Sequence, residues 1–173
     1  MPKFRVIPSI LTDGFSQVKG AQFDNWRSVG SVAQAVKVHS LRDVDELILL
    51  DVVAGRHGTF ISPGLVAKAA KYLRVPLTVG GGVAKIEQIE ALLNAGADKV
   101  VLGSSCLPTG ALVEEASSTF GSQAIVCSID SRDSHHLETA YRSGKFFSPI
   151  TPESLALNMV KAGAGELLLQ SVE

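Results

Sequence analysis

The sequence predicts an α/β fold: a parallel sheet wrapped by helices, arranged as a (β/α)8 barrel that stops after its sixth strand. Three observations carry this. Strand-like and helix-like segments alternate strictly, the strand-like runs are continuously apolar, and the chain repeats itself at about half a barrel's length. The chain has 173 residues and a formal net charge of -1, which sets it at one domain of the usual ~100–200 residues. With 46% hydrophobic and 19% charged residues it can bury a packed core, so disorder is excluded. A pI of about 6.4 excludes the basic footprint of nucleic-acid binding. No apolar run approaches the ~20 residues that span a bilayer. The first residues lack the apolar run of a signal peptide. Cys106 and Cys127 show neither metal-ligand nor CxxC spacing, and a reduced cytoplasmic setting is expected.

The expected strands are Phe4–Ile10, Glu46–Val53, Pro76–Val79, Lys99–Gly103, Ala124–Asp130 and Glu166–Ser171. They do not alternate in polarity, as suits parallel strands covered on both faces. Helical periodicity falls at Val32–Leu41, Ser62–Leu73, Lys85–Ala95, Gly110–Thr119 and Pro152–Ala162. Ile86, Ile89, Leu92 and Leu93 lie on one helical face. Gly96 and Gly163 follow two of these helices, where left-handed caps belong. Strict alternation of this kind builds right-handed βαβ units. One segment departs from it: Leu137 to Phe147, with Ser143-Gly144 between β-formers, reads as a hairpin after the fifth strand.

Ser9-Ile10-Leu11 matches Ser128-Ile129-Asp130 at an offset of 119 residues, and Asp45-Glu46-Leu47 matches Gly165-Glu166-Leu167 at 120. The expected organisation is therefore a first half-barrel over residues 1–120 and the start of a second over 121–173. A complete pair would approach the ~250 residues of an eight-unit barrel.

Chemistry in such barrels sits at the C-terminal ends of the strands. Gly80-Gly81-Gly82 ends the third strand before a helix, and Gly103-Ser104-Ser105 ends the fourth. Bare amides there can approach an anion, aided by the helix dipole. Together they point to one phosphate held by Gly81, Gly82, Gly103 and Ser104, against the alternative of two tight turns. Asp130 is a candidate general acid or base if burial raises its pKa, or an ordinary strand-end carboxylate. Asp51 has the same two readings, with the bonding of loop amides at least as good. Lys19 either neutralises phosphate or is solvated. At the opposite end Arg5, Glu46, Lys99 and Glu166 start four strands; two acids and two bases can pair as a ring or stand apart in solvent. Phe23 and Trp26 read as a loop capping the core, and His135-His136 as a solvated loop with no metal spacing. Cys127 reads as an inert core thiol. Cys106 opens a loop, where a thiol could react, though no base stands near it.

Taken together, Arg5-Val6-Ile7-Pro8, Val18-Lys19-Gly20, Asp45-Glu46-Leu47, Thr78-Val79-Gly80-Gly81-Gly82, Gly96-Ala97-Asp98-Lys99-Val100, Phe120-Gly121-Ser122-Gln123-Ala124 and Gly163-Ala164-Gly165-Glu166 closely resemble the cyclase subunit of imidazole glycerol phosphate synthase, over the whole chain. The resemblance implies a TIM barrel that takes ammonia from a glutaminase docked at its bottom. The ammonia reaches a substrate bearing two phosphates, and aspartates ending strands one and five do the acid–base work of ring closure. Imidazole glycerol phosphate goes to histidine and the carboxamide nucleotide to purines, with no metal or organic cofactor. Arg5, Glu46, Lys99 and Glu166 match the charged ring that gates ammonia, and Asp98 matches a position facing the glutaminase.

Three departures qualify the resemblance. Leu11 stands where the strand-one aspartate belongs, with Asp13 two residues on as a possible substitute. Gly103 replaces a small polar residue, and the sequence given ends before the strands that hold the second phosphate. Leu11 is similar to divergent paralogues that deliver ammonia for amidating surface-polysaccharide sugars. The readings are thus a ring-closing lyase weakened by Leu11 and by the missing strands, an ammonia-delivering subunit, or a non-catalytic phosphate-binding fragment. Unpaired first and sixth strands are expected to drive self-association.

Overall fold

A computed structural model describes residues 4–107, 109–133, 137–142 and 144–172. Six parallel strands form the sheet: β1 (Ser9–Thr12), β4 (Leu47–Asp51), β5 (Leu77–Gly80), β6 (Lys99–Leu102), β7 (Ile125–Asp133) and β10 (Glu166–Ser171), neighbours in that order. Two antiparallel hairpins extend it, β2 (Gln17–Ala21) with β3 (Asp24–Gly30) on β1, and β8 (Leu137–Tyr141) with β9 (Phe146–Ser148) on β7. Among the described residues β1 and β10 do not pair, so the sheet curls without closing.

Helices α1 (Val32–Ser40), α2 (Pro63–Ala70), α3 (Ile86–Asn94), α4 (Ala111–Phe120) and α5 (Pro152–Lys161) follow strands as expected. α5 starts at Pro152, with the Thr151 hydroxyl accepting from the Ser154 amide at 3.3 Å. Gly96 and Gly163 adopt φ of 104° and 105° after α3 and α5, as their cap positions require. The helices cover the outer face of the sheet. Ile10, Leu49, Val66, Leu77, Ile89, Leu92, Leu102 and Ile125 are fully buried there, each contributing about 1.5–3 kcal/mol. A smaller apolar layer lies inside: Ile48, Leu50, Val101 and Val126, with Ile7, Leu11 and Leu168 against it.

Several expectations are corrected. The first strand is Ser9–Thr12, not Phe4–Ile10. Pro8 has no N–H, and the Val6 amide and carbonyl are taken by Asp45 (2.8 and 3.0 Å) rather than by a ladder. The fifth strand runs past Asp130 to Asp133, because β8 pairs beside it from Asp130↔Ala140 to Asp133↔Leu137. The β2–β3 hairpin replaces what reads in sequence as a loop. Val18 alone is buried in it, so no apolar alternation announces it. Its turn uses Gln22 and Phe23 at φ of 52° and 57° instead of glycines, and Asn25 in β3 follows at 53°, a strained choice for side-chain-bearing residues. Arg56 holds that turn, 3.1 Å from the Asp24 carboxylate and donating to the Phe23 carbonyl. The second hairpin is as expected, except that Ser143 of its turn and His135-His136 lie outside the described residues.

Candidate functional site

A cavity of about 770 Å³ opens at the C-terminal ends of the strands. Leu11, Asp51, Gly81, Gly82, Gly103, Ser104 and Asp130 all line it. Lys19 and Asp13 do not. Lys19 is exposed on β2. The Asp13 carboxylate accepts from the Phe15 and Ser16 amides at 3.0 and 2.7 Å, closing the β1–β2 turn. The Ser16 amide bond chiefly holds its pKa below the ordinary carboxylate value, against the raising effect of burial, with the Phe15 amide and the Ser16 hydroxyl adding to the lowering. It is neither in the cavity nor poised to give a proton near neutrality.

Gly81 and Gly82 have φ of 124° and 68°. A Cβ on Gly81 would collide with the Asp51 carbonyl, and one on Gly82 with the Thr59 carbonyl. Glycine is required at both, which brings their backbone to the cavity wall. No backbone carbonyl accepts from the amides of Gly82, Ser104 or Ser105 among the described residues. Among the described residues the buried Ser105 hydroxyl has no partner. Asp51 is engaged, accepting from the Val53 and Ala54 amides at 3.0 and 2.8 Å; its geometry is that of a loop-bonding residue.

Asp130 stands differently. Burial pushes its carboxyl up to about 6, against the lowering effect of the Ser128 hydroxyl. Ser128 Oγ lies 3.2 Å from Asp130 Oδ1 and 3.1 Å from Gln170 Oε1. One hydroxyl proton serves only one of them at a time. Asp130 is thus a cavity carboxyl that titrates close to neutrality, as a general acid or base needs.

The structure adds cavity residues that the sequence reading passed over. Ser128 and Gln170 face inward beside Asp130, while Arg56, Arg142, Lys145 and Phe146 line the rim. Phe23 and Trp26 belong to this wall rather than capping the core, and among the described residues the buried Trp26 indole N–H has no partner. The signal in sequence was the apolar–basic tract around Tyr141-Arg142 and Lys145-Phe146, but only the hairpin's pairing aims it at the cavity. Cys106 is also corrected: it is buried, with Sγ 3.6 Å from the Cys127 Sγ. The Cys127 contact and burial drive its pKa upward, so it is not a reactive thiolate. Among the described residues no cluster of His, Cys, Asp and Glu has metal-site geometry.

At the other end of the strands the four charges form a closed ring. Arg5 lies 3.2 Å from both Glu46 and Glu166, and Lys99 lies 2.7 and 2.8 Å from the same two carboxylates. The Thr78 hydroxyl donates to the free oxygen of Glu46. Burial alone would lower Lys99, but the two carboxylates hold its pKa above the usual value. Burial would likewise raise Glu166, but Lys99 and Arg5 hold it below. Four solvated charges are thereby excluded. Asp98 is exposed just before β6 and accepts from the Leu77 amide at 2.8 Å.

Residues 5–173 match the model of the family described as histidine biosynthesis protein. The chain is 39% identical over its full length to the hisF2 chain of Campylobacter jejuni, named for the imidazole glycerol phosphate synthase subunit, and covers 69% of that protein. It is 37% identical over 98% of its length to imidazole glycerol phosphate synthase subunit HisF of Dictyoglomus turgidum, covering 68% of it. Against the HisF of Cytophaga hutchinsonii it is 36% identical, again over 98% of this chain and 68% of the relative. The chain belongs to the histidine biosynthesis protein family, a family of TIM barrels, and stands with its HisF-type members.

Proposed function

We propose that the chain is a cyclase-type barrel that uses glutamine-derived ammonia to form imidazole glycerol phosphate. The observation that carries this reading is the pairing of two sites at opposite strand ends. Asp130, with its pKa raised by burial to about 6, faces a cavity edged by free amides. The ring of Arg5, Glu46, Lys99 and Glu166 encircles the strand starts. In this reading the ring admits ammonia, a glutaminase docks around Asp98, and Gly81, Gly82, Gly103 and Ser104 hold one substrate phosphate. Asp130 moves the proton during ring closure.

Leu11 supports a second reading, delivery of ammonia for sugar amidation. It puts an apolar wall where a second acid would face the cavity. Loss of one acid–base group costs about 10²–10⁴-fold in rate. An assay with saturating ammonia and the cyclase substrate, following carboxamide nucleotide release, separates the two. Slow turnover abolished by Asp130→Asn supports the cyclase. No ring closure, with ammonia incorporated into a sugar in the presence of a glutaminase, supports delivery. Neither activity leaves a phosphate-binding barrel.

A further part of the proposal is self-association, carried by exposed apolar side chains. Leu167 and Leu169 on β10 are exposed, as are Phe4 and Val6 before β1. Grouped exposed apolar side chains mark interaction surfaces. Light scattering at micromolar protein is expected to give a dimer or larger, and Leu167→Lys with Leu169→Lys to give monomer. A wild-type monomer at that concentration would refute the idea.

A further inference from the structure

Arg142 sits at the end of β8, in the left-handed region at φ 51°. Its backbone N–H donates to Ser104 Oγ at 2.8 Å. That bond occupies an acceptor site of the hydroxyl and leaves its proton free to point elsewhere. It also fixes the hairpin end against the Gly103–Ser105 loop, so the Arg142 side chain lines the same cavity as Gly82, Gly103 and Ser104. Among the described residues no carboxylate pairs with Arg142; its guanidinium lies over the Phe146 ring, 5.7 Å from the centroid. Lys145 also lines the cavity, and its charge helps to lower the pKa of Asp24. The Ser105 hydroxyl completes a set of unpartnered donors at the loop.

We propose that Arg142 is a substrate-binding residue, neutralising a phosphate monoester held by the amides of Gly82, Ser104 and Ser105. Amide nests alone hold an anion with partial charges. A planar guanidinium adds charge-assisted hydrogen bonds that match two phosphate oxygens. The hairpin, rather than a barrel strand, thus supplies the charge that makes the nest selective for a dianion. The proposal rests on the phosphate reading above, and its test keeps the two apart.

The chain has a single tryptophan, and Trp26 lines the cavity, so its fluorescence reports occupancy. Inorganic phosphate and glycerol 3-phosphate are titrated at pH 7.5 into wild type, Arg142→Gln, Arg142→Lys and Lys145→Gln. Arg142→Gln is expected to weaken binding about tenfold, Arg142→Lys to regain part of that loss, and Lys145→Gln to change affinity less than threefold. If wild type binds neither probe, the phosphate reading falls. If wild type binds and Arg142→Gln binds equally, the proposal falls while that reading stands. A larger loss at Lys145 than at Arg142 would also overturn it. Should Arg142→Gln fail to fold, Arg142→Lys still decides: affinity equal to wild type shows that the fork geometry is not used.

Discussion

The two ends of the barrel treat equivalent residues in opposite ways. At the charged end, positions 120 apart carry the same residue, Glu46 and Glu166, and both carboxylates meet two cations. At the cavity end, positions 119 apart carry Leu11 and Asp130. Leu11 neighbours Leu50 in the ladder, and Asp130 neighbours Gln170 at the same register. One wall of the cavity is therefore apolar and the other titratable. The charged ring is satisfied by its own residues, whereas among the described residues the cavity end keeps unpartnered donors at the Ser105 hydroxyl, the Trp26 indole and Arg56 Nε. Internal satisfaction marks a built structural device, and unsatisfied groups mark room for a ligand.

Removing the most buried member of the ring tests this contrast hardest. The Glu46 side chain is 3% exposed and Glu166 33%. Glu46→Ala leaves Lys99 and Arg5 to share Glu166 and takes the acceptor from the Thr78 hydroxyl; it is expected to cost about 3 kcal/mol in urea unfolding. Glu166→Ala should cost about 1 kcal/mol. Equal losses would break the comparison.

Asp130→Asn should act in the opposite direction. Its folded pKa of about 6 lies above the ordinary 3.8, so the folded chain binds this proton more tightly than the unfolded chain. Ionisation at Asp130 therefore opposes folding fully above pH 6, and the penalty fades as pH falls through 6 toward 4. Asp130→Asn is expected to stabilise by about 3 kcal/mol at pH 7.5 and by about 0.5 kcal/mol at pH 4. Melting curves across that range check it. Destabilisation at pH 7.5 would mean that the carboxylate is held by the fold, like those of the ring.

Arg5→Ala gives the smallest effect. Its side chain is 45% exposed, so the loss should be about 0.5 kcal/mol and should shrink in high salt. An effect as large as that of Glu46→Ala would show that the ring acts as one unit.

Strand order, helix positions and the second hairpin were legible because they follow apolar runs, helical periodicity and turn glycines. β10 matches its expected bounds of Glu166–Ser171. The first hairpin was not legible, since its strands bury almost nothing and its turn departs from usual turn chemistry. Gly81, Gly82, Gly103, Ser104 and Asp130 were placed together by the rule that strands deliver function at their C-terminal ends. Arg56, Arg142 and Lys145 were not, because they reach the cavity from loops and hairpins whose direction depends on pairing. Asp13 misled because proximity in sequence says nothing about where a carboxylate finds its donors.

The bond between Arg5 and Glu166 spans 161 positions, the longest reach in the ring. Loop-closure entropy grows only slowly with length, so distance alone does not forbid it. Its order in time is fixed nonetheless. On a ribosome, Arg5, Glu46 and Lys99 emerge long before Glu166 exists, and until then Lys99 and Arg5 share Glu46 alone. The early chain holds an excess positive charge at its base, which the sixth strand neutralises. Completion of the ring is thus an arrival signal for the sixth strand, and a chain stalled before Glu166 would carry that charge uncovered.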